Sequence, residues 1–294
     1  MLFDVTHTTD YAYTTPAAEA YLEARLTPPD YCGQKVLRRR LITNPATPTS
    51  QYVDFFNNTV DFISLPYRHK RLTITSQIAI STSPRPLPED ILSASVQEAR
   101  QILSSSLTDI YDYLQPTDTV RIGKEAHQWS KRYLPGKISI RDALEALNRA
   151  IYETFEYRKG ITDNSTPLAT VWRDRHGVCQ DFAHVMLAVL RTSGFPCRYV
   201  CGYIDANPIS ADGRRLVGAL ATHAWVEVLL PGLHWVALDP TNNKWCGERH
   251  ITVSFGRDFR DATPLRGTFK GVGDQNMKVK VLVRHLASEK MIKY

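Results

Sequence analysis

Three residues have the types and order needed for nucleophilic catalysis: Cys179, His223 and Asp239. Cys179 sits in Gly177-Val178-Cys179-Gln180-Asp181-Phe182-Ala183-His184. Beyond it Phe182, Val185, Met186, Val189 and Leu190 repeat at three and four residues, which predicts a helix with one buried face. Gly194 and Pro196 supply its stop. Cys179 then falls about two residues inside the start of that helix. A thiol near pKa 8.5 is a weak nucleophile at neutral pH until something favours the thiolate. Free N–H groups and the helix dipole do so at a helix start. The same N–H groups suit a developing oxyanion. In isolation, an ordinary small helix residue is the simpler reading of Cys179.

His223 and Asp239 supply the context. They lie on two β-like runs, Thr222–Val228 and Trp235–Asp239, split by Pro231-Gly232. A three-residue loop, Leu230-Pro231-Gly232, pairs Leu229 with Leu233 and sets His223 directly opposite Asp239, on one face. Ala224 then meets Leu238, and Val226 meets Val236, as an apolar face. A two-residue loop would put His223 and Asp239 on opposite faces. A carboxylate beside the imidazole fixes its tautomer and supports its charged form. A plain ion pair on a sheet face is the bland alternative. His184 is the histidine nearest to Cys179 in sequence, but about 500° of helical rotation leaves it about 140° round from the thiol, so it reads as a core residue. Asp181 reads as a helix-start carboxylate.

The elements that must position these residues divide at Ser83-Pro84-Arg85-Pro86-Leu87-Pro88, an extended proline-rich linker. Residues 1–83 form a β-rich region, with short runs such as Leu2–Thr6, Tyr11–Thr14, Val36–Thr43 and Leu72–Ile80 broken by turn residues. Residues 84–88 are the linker, and 89–294 the catalytic domain. Helices are predicted from Glu89 to about Ser104, near Asp109–Leu114, over Thr117–Leu134 and over Ser139–Phe155. Strands are predicted at Arg198–Ile204 and Lys278–His285, and a polar loop over Asn207–Gly218. The fold class is α+β.

Composition excludes several classes. A hydrophobic content of 43% and a charged content of 22% belong to an ordinary globular chain. No apolar run approaches the roughly 20 residues of a membrane helix, and the first residues lack a secretory pattern. The net charge of +6 is scattered, and Arg38-Arg39-Arg40 lacks a stacking platform, so neither a nucleic acid nor a membrane is an expected partner. The five cysteines form no CxxC pair, which argues against structural zinc and implies no cofactor. Cys197 and Cys201, four apart on a strand, lie roughly 13 Å apart, too far for a disulfide. This usage suits a reducing, cytoplasmic compartment.

The stretches around Cys179, His223 and Asp239, with Arg198-Tyr199-Val200-Cys201-Gly202-Tyr203, His250-Ile251 and Gly256-Arg257-Asp258-Phe259, resemble the bacterial transglutaminase-like cysteine proteins. His7-Thr8-Thr9, Tyr11, Tyr13 and Pro16 extend the resemblance into the β domain that precedes this core. It implies a papain-like α+β core, a helix bearing the cysteine packed on an antiparallel sheet. It also implies Cys179 as nucleophile, His223 as general base and acid, and Asp239 as the orienting residue. The chain departs from the family pattern at Phe55-Phe56-Asn57-Asn58, with Asn57 in a glycine position that asparagine can fill. The expected activity is acyl transfer from amide bonds of a protein or peptide substrate. Hydrolysis is favoured over transfer to an amine, because bacterial relatives are regarded as proteases. Trp172, Gln180 and Trp225 are candidates for the substrate groove. The alternatives are a protein-glutamine transglutaminase, a binding or assembly protein with an idle triad, and a Cys/His metal site.

Overall fold

The computed structural model describes residues 1–105, 110–205, 216–217, 221–288 and 291–292. The chain begins with strands β1 (Leu2–Ala17), β2 (Glu19–Thr27), β3 (Gln34–Asn44), β4 (Thr49–Val53), β5 (Thr59–Leu65) and β6 (His69–Thr82). Helices Glu89–Ser93, Val96–Ser104, Lys124–Tyr133 and Ile140–Thr154 follow. Next come β7 (Glu156–Tyr157), helix Leu168–Asp174, β8 (His176–Gly177) and helix Cys179–Thr192. The remainder is β9 (Cys197–Ile204), β10 (His223–Leu230), β11 (His234–Asp239), β12 (Lys244–Trp245), β13 (His250–Gly256), helix Phe259–Ala262, β14 (Leu265–Lys270) and β15 (Gln275–His285).

Local chemistry accounts for several boundaries. Ser139 caps helix Ile140–Thr154 by accepting from the Asp142 N–H at 3.0 Å, as its spacing predicts. The helix expected over Thr117–Leu134 starts only at Lys124, because Thr117 and Val120 close a turn on each other instead. The helix expected from Glu89 to Ser104 breaks at Ala94, and Ser95 starts a second one with a capping box to Glu98. Of the segment Asp109–Leu114, a 3-10 turn covers Tyr111–Leu114, and Asp109 is outside the described residues. So is most of the loop expected over Asn207–Gly218. Asn57 adopts the left-handed conformation its position requires, with φ 64°.

The fold is α+β, with three main sheets. β12-β11-β10-β9-β13 is the central one, and helix Cys179–Thr192 packs on one face of it. Phe182, Val185, Met186 and Val189 from the helix share a core with Ala224, Val226, Val228 and Leu238 from the sheet. The other two sheets, β15-β1-β6-β3 and β14-β2-β5-β4, enclose a core of Tyr11, Leu22, Ile63, Leu72 and Ile74. Phe3, Val5, Ile78 and Ile80 of the first of these also pack on Tyr203, Ile251 and Val253 of the central sheet.

The division drawn from the sequence changes at its C-terminal end. β15 pairs with β1 from Phe3↔His285 to Tyr13↔Gln275, and β14 pairs with β2. The last two strands of the 89–294 segment thus complete the sheets of residues 1–83. Val279, Val281 and Val283 alternate as an edge strand does, and the pattern carries no information on which sheet it joins. Deleting residues 265–294 should leave β1 and β2 as bare edges and lower the melting temperature of the whole chain. A deletion variant that melts like the full chain would overturn this reading of the pairing.

Candidate active site

The loop before Cys179 is built around one carboxylate. Asp181 Oδ2 accepts from the Val178 N–H at 2.8 Å and from the Thr162 hydroxyl at 2.7 Å. Burial raises the Asp181 pKa, and those two bonds oppose the rise. A Cβ on Gly177 would lie 2.6 Å from Asp181 Oδ2 and 2.8 Å from its Cβ, so only glycine fits beneath this carboxylate. The Arg158 N–H donates to Gly177 O at 2.9 Å and anchors the approach. Cys179 is therefore the first residue of its helix, two positions earlier than expected, with Val178 as the cap residue in extended conformation. Cys179 as a residue is partly exposed.

The hairpin register differs from the expected one. Pro231-Gly232-Leu233 forms the loop, with both Gly232 and Leu233 at positive φ, and Leu230 pairs with His234. Val226 then pairs with Leu238 and Val228 with Val236, so the expected pairs Ala224–Leu238 and Val226–Val236 do not form. Side-chain parity survives, because sliding the loop by one residue shifts the strand register by two. His223 and Asp239 keep a common face as diagonal rather than direct neighbours, and His223 Nε2 lies 2.8 Å from Asp239 Oδ2.

Asp239 is fully buried and accepts from five donors. Oδ1 takes the backbone N–H of Thr241 at 3.0 Å and of Asn242 at 3.2 Å. Oδ2 takes His223 Nε2, the Asn242 side-chain amide at 2.7 Å and His250 Nε2 at 3.2 Å. Burial alone would raise its pKa, but these partners hold the carboxyl well below the usual aspartate range. For His223, burial disfavours the charged ring, and Asp239 together with the adjacent Cys179 outweighs it, lifting the pKa to about 10. His223 Nδ1 is buried and has no hydrogen-bond partner among the described residues. Sequence reasoning missed Asn242 and the role of His250. The turn chemistry of Asp239-Pro240-Thr241-Asn242 was the available signal for Asn242.

The other expected site residues are placed differently. Trp225 is completely buried on the sheet face away from the cysteine helix, among Val200, Ala237, Cys246 and Phe255, and has no surface to offer a groove. Trp172 is nearly buried against Trp129 and Phe155, and its remaining edge lines a cleft of about 360 Å³ with Thr119, Asn164, Pro167 and Arg260. Gln180 is half-buried in the first helical turn. His184 is a core residue, accepting from the Phe259 N–H at 3.2 Å, and burial lowers its pKa to about 4. A cavity of about 670 Å³ lies behind the hairpin, lined by Tyr31, Arg85, Leu87, Trp235 and Cys246, and Cys179 is not part of its wall.

A cysteine-bearing helix packed on an antiparallel sheet that carries histidine and aspartate is a papain-like arrangement. The comparisons define the family more narrowly. Residues 127–240 match the transglutaminase-like superfamily and residues 3–81 the bacterial transglutaminase-like N-terminal region. The uncharacterized protein ML0607 of Mycobacterium leprae is 33% identical over 290 residues, covering 96% of this chain and 98% of its own. The uncharacterized protein Rv2569c of Mycobacterium tuberculosis is 34% identical over 278 residues, 90% of this chain and 86% of its own. A 67-residue stretch, 23% of this chain, is 40% identical to part of a protein-glutamine gamma-glutamyltransferase of Pseudomonas aeruginosa, covering 10% of that protein. The solved structure of "a Putative Cysteine Protease from Cytophaga hutchinsonii" shares the fold at a TM-score of 0.74 and 18% identity, covering 98% of this chain and 92% of that one. The chain belongs to the transglutaminase-like superfamily.

The His223–Asp239 pair carries a pH signature. A raised histidine pKa contributes stability that is complete below the unfolded value of 6.5 and is lost as pH rises through about 10. A depressed aspartate pKa contributes stability present above 3.8 and lost as pH falls toward its lowered folded value. The pair therefore stabilises most between about pH 4 and 6.5. The stability gap between the wild type and Asp239→Asn, measured by urea unfolding, should be largest there and shrink by pH 10. A gap that stays constant from pH 5 to 10 would mean that the ring is not charged.

Proposed function

We propose that the protein is a cysteine-dependent acyl-transfer enzyme that hydrolyses amide bonds in a protein or peptide substrate. The observation that carries this reading is the polarity of His223. Its Nε2 is committed to a buried carboxylate, its Nδ1 has no hydrogen-bond partner among the described residues, and the thiol beside it is Cys179. In this reading the thiol proton already rests on the His223 ring as a thiolate–imidazolium pair, and the sulfur adds to the substrate carbonyl. The first-turn N–H groups of the Cys179 helix stabilise the oxyanion. The C–N bond then breaks as the imidazolium protonates the departing amine, leaving a thioester. Water, deprotonated by the now neutral His223, attacks the thioester, releases the acid and returns the thiolate–imidazolium pair. Asp239 stays ionised throughout and holds the ring in one tautomer.

Transfer to a primary amine shares every step up to the thioester. The similarity of a 67-residue stretch to a protein-glutamine gamma-glutamyltransferase favours it as the second reading. Among the described residues no helix is long and apolar enough to cross a membrane. The cytoplasmic setting is part of the proposal, since five unpaired cysteines and a reduced nucleophile suit a reducing compartment.

A screen of peptides and isopeptides, with and without an added amine and read by mass spectrometry, tests the proposal. Hydrolysed products should appear with the wild type and vanish with Cys179→Ala, whose melting temperature stays within a few degrees. Turnover retained by Cys179→Ala would sink the mechanism. Amine adducts in place of acids would move the assignment to the transferase.

A further inference from the structure

We infer that His250 is a positioning residue, which fixes the Asp239 carboxylate for His223 from a third strand. The inference rests on the roles proposed above for Cys179, His223 and Asp239. Asp239 ends β11 and His223 begins β10, but His250 begins β13, at the far edge of the same sheet. Its Nε2 nevertheless reaches Asp239 Oδ2 at 3.2 Å. Its Nδ1 accepts from the Gly247 N–H at 3.3 Å, so the proton is on Nε2 and the ring donates to the carboxylate as a neutral group. Burial keeps it neutral. The charged and titratable groups that face it are Asp239, His223 and Arg85, whose guanidinium lies 3.1 Å from Thr252 Oγ1. A neutral donor satisfies Oδ2 without adding a second positive charge beside the His223 imidazolium. Trp225 stands edge-on to His250 at 5.4 Å and tilted to His223 at 6.1 Å, which fixes the spacing of the two rings.

The strand that carries His250 is held unusually well for an edge. Among the described residues β13 pairs with β9 on one side only. Two side-chain amides from the N-terminal region pair with its backbone. Gln34 accepts the Thr252 N–H at 2.8 Å and donates to Thr252 O at 2.9 Å. Asn58 accepts the Phe255 N–H at 2.8 Å and donates to Phe255 O at 2.8 Å. Each amide acts as one residue of a neighbouring strand, on either side of the bulge between Thr252 and Ser254. A position so fixed suits a preorganised site, whose groups must be held to within about 0.5 Å.

His250→Leu and His250→Gln in the full chain test this, since glutamine keeps an N–H donor near Nε2 and leucine does not. The readouts are the alkylation rate of Cys179 by iodoacetamide at neutral pH, resolved from Cys32 by mass spectrometry, and the downfield proton resonance of the His223–Asp239 hydrogen bond. Leucine should slow Cys179 alkylation about tenfold, the scale of one hydrogen bond to a charged group, and abolish the resonance. Glutamine should restore the rate to within about threefold and keep the resonance. Wild-type labelling and an intact resonance in His250→Leu would overturn the inference. So would equal losses in both variants that follow their melting temperatures, which is the mark of a merely structural residue. Wild-type Cys179 that labels no faster than Cys32 would overturn the proposed function itself, and the inference with it.

Discussion

Burying the Asp239 carboxylate is the constraint on which the rest of the site depends. An isolated buried carboxylate is penalised by several kcal/mol and ordinarily takes up a proton instead. Here two backbone N–H groups, one amide and two imidazoles satisfy it, and it stays ionised. Those five donors come from the turn after β11, from β10 and from β13. The carboxylate can be charged only when the turn, the hairpin and the far edge strand are all assembled. The charge that raises the His223 pKa is thus a product of the whole sheet, not of one neighbour.

The cysteine requires the opposite treatment. Cys197 and Cys201 are buried in β9, and burial pushes their pKa values to about 11 and 12, so they remain protonated and inert. Cys179, by contrast, is a partly exposed residue at a helix start. Glycine at 177 and the Asp181 carboxylate above it deliver the chain into that position. The site therefore joins a dry half, which holds charge, to a half-open one.

Much of this was legible in the sequence where it depended on periodicity or parity. The cysteine helix followed from the spacing of Phe182, Val185, Met186 and Val189. The common face of His223 and Asp239 followed from the parity of the hairpin, even though the loop was placed one residue too early. Parity is robust because side chains alternate strictly, whereas register depends on which residues accept positive φ, and Leu233 does so here against its usual preference. What depended on long-range assembly was not legible. Trp225 looked like a groove wall because nothing local shows which sheet face a second sheet covers. The pairing of β15 with β1 and of β14 with β2 is hidden for the same reason. His250 was visible as part of a family-like stretch, but its contact with Asp239 crosses two intervening strands.

The N-terminal β region follows from the same electrostatic demand. The hydroxyl of Tyr203, on β9, lies 2.9 Å from His7 Nδ1 on β1. On the same sheet Arg198 stacks between Phe255 at 3.7 Å and Trp235 at 4.2 Å, bonded to Glu227 at 2.8 Å and to the Tyr31 hydroxyl at 2.9 Å. A buried guanidinium placed in this way is specific in direction, because its planar fork tolerates little displacement. With the Gln34 and Asn58 amides on β13, these contacts fix the central sheet on the face that the helices leave open. A five-stranded sheet covered on one face only would leave Trp225, Val200 and Phe255 in water and β13 free to fray. Loss of that edge would remove a donor from Asp239, so the N-terminal region supports the buried carboxylate from a distance.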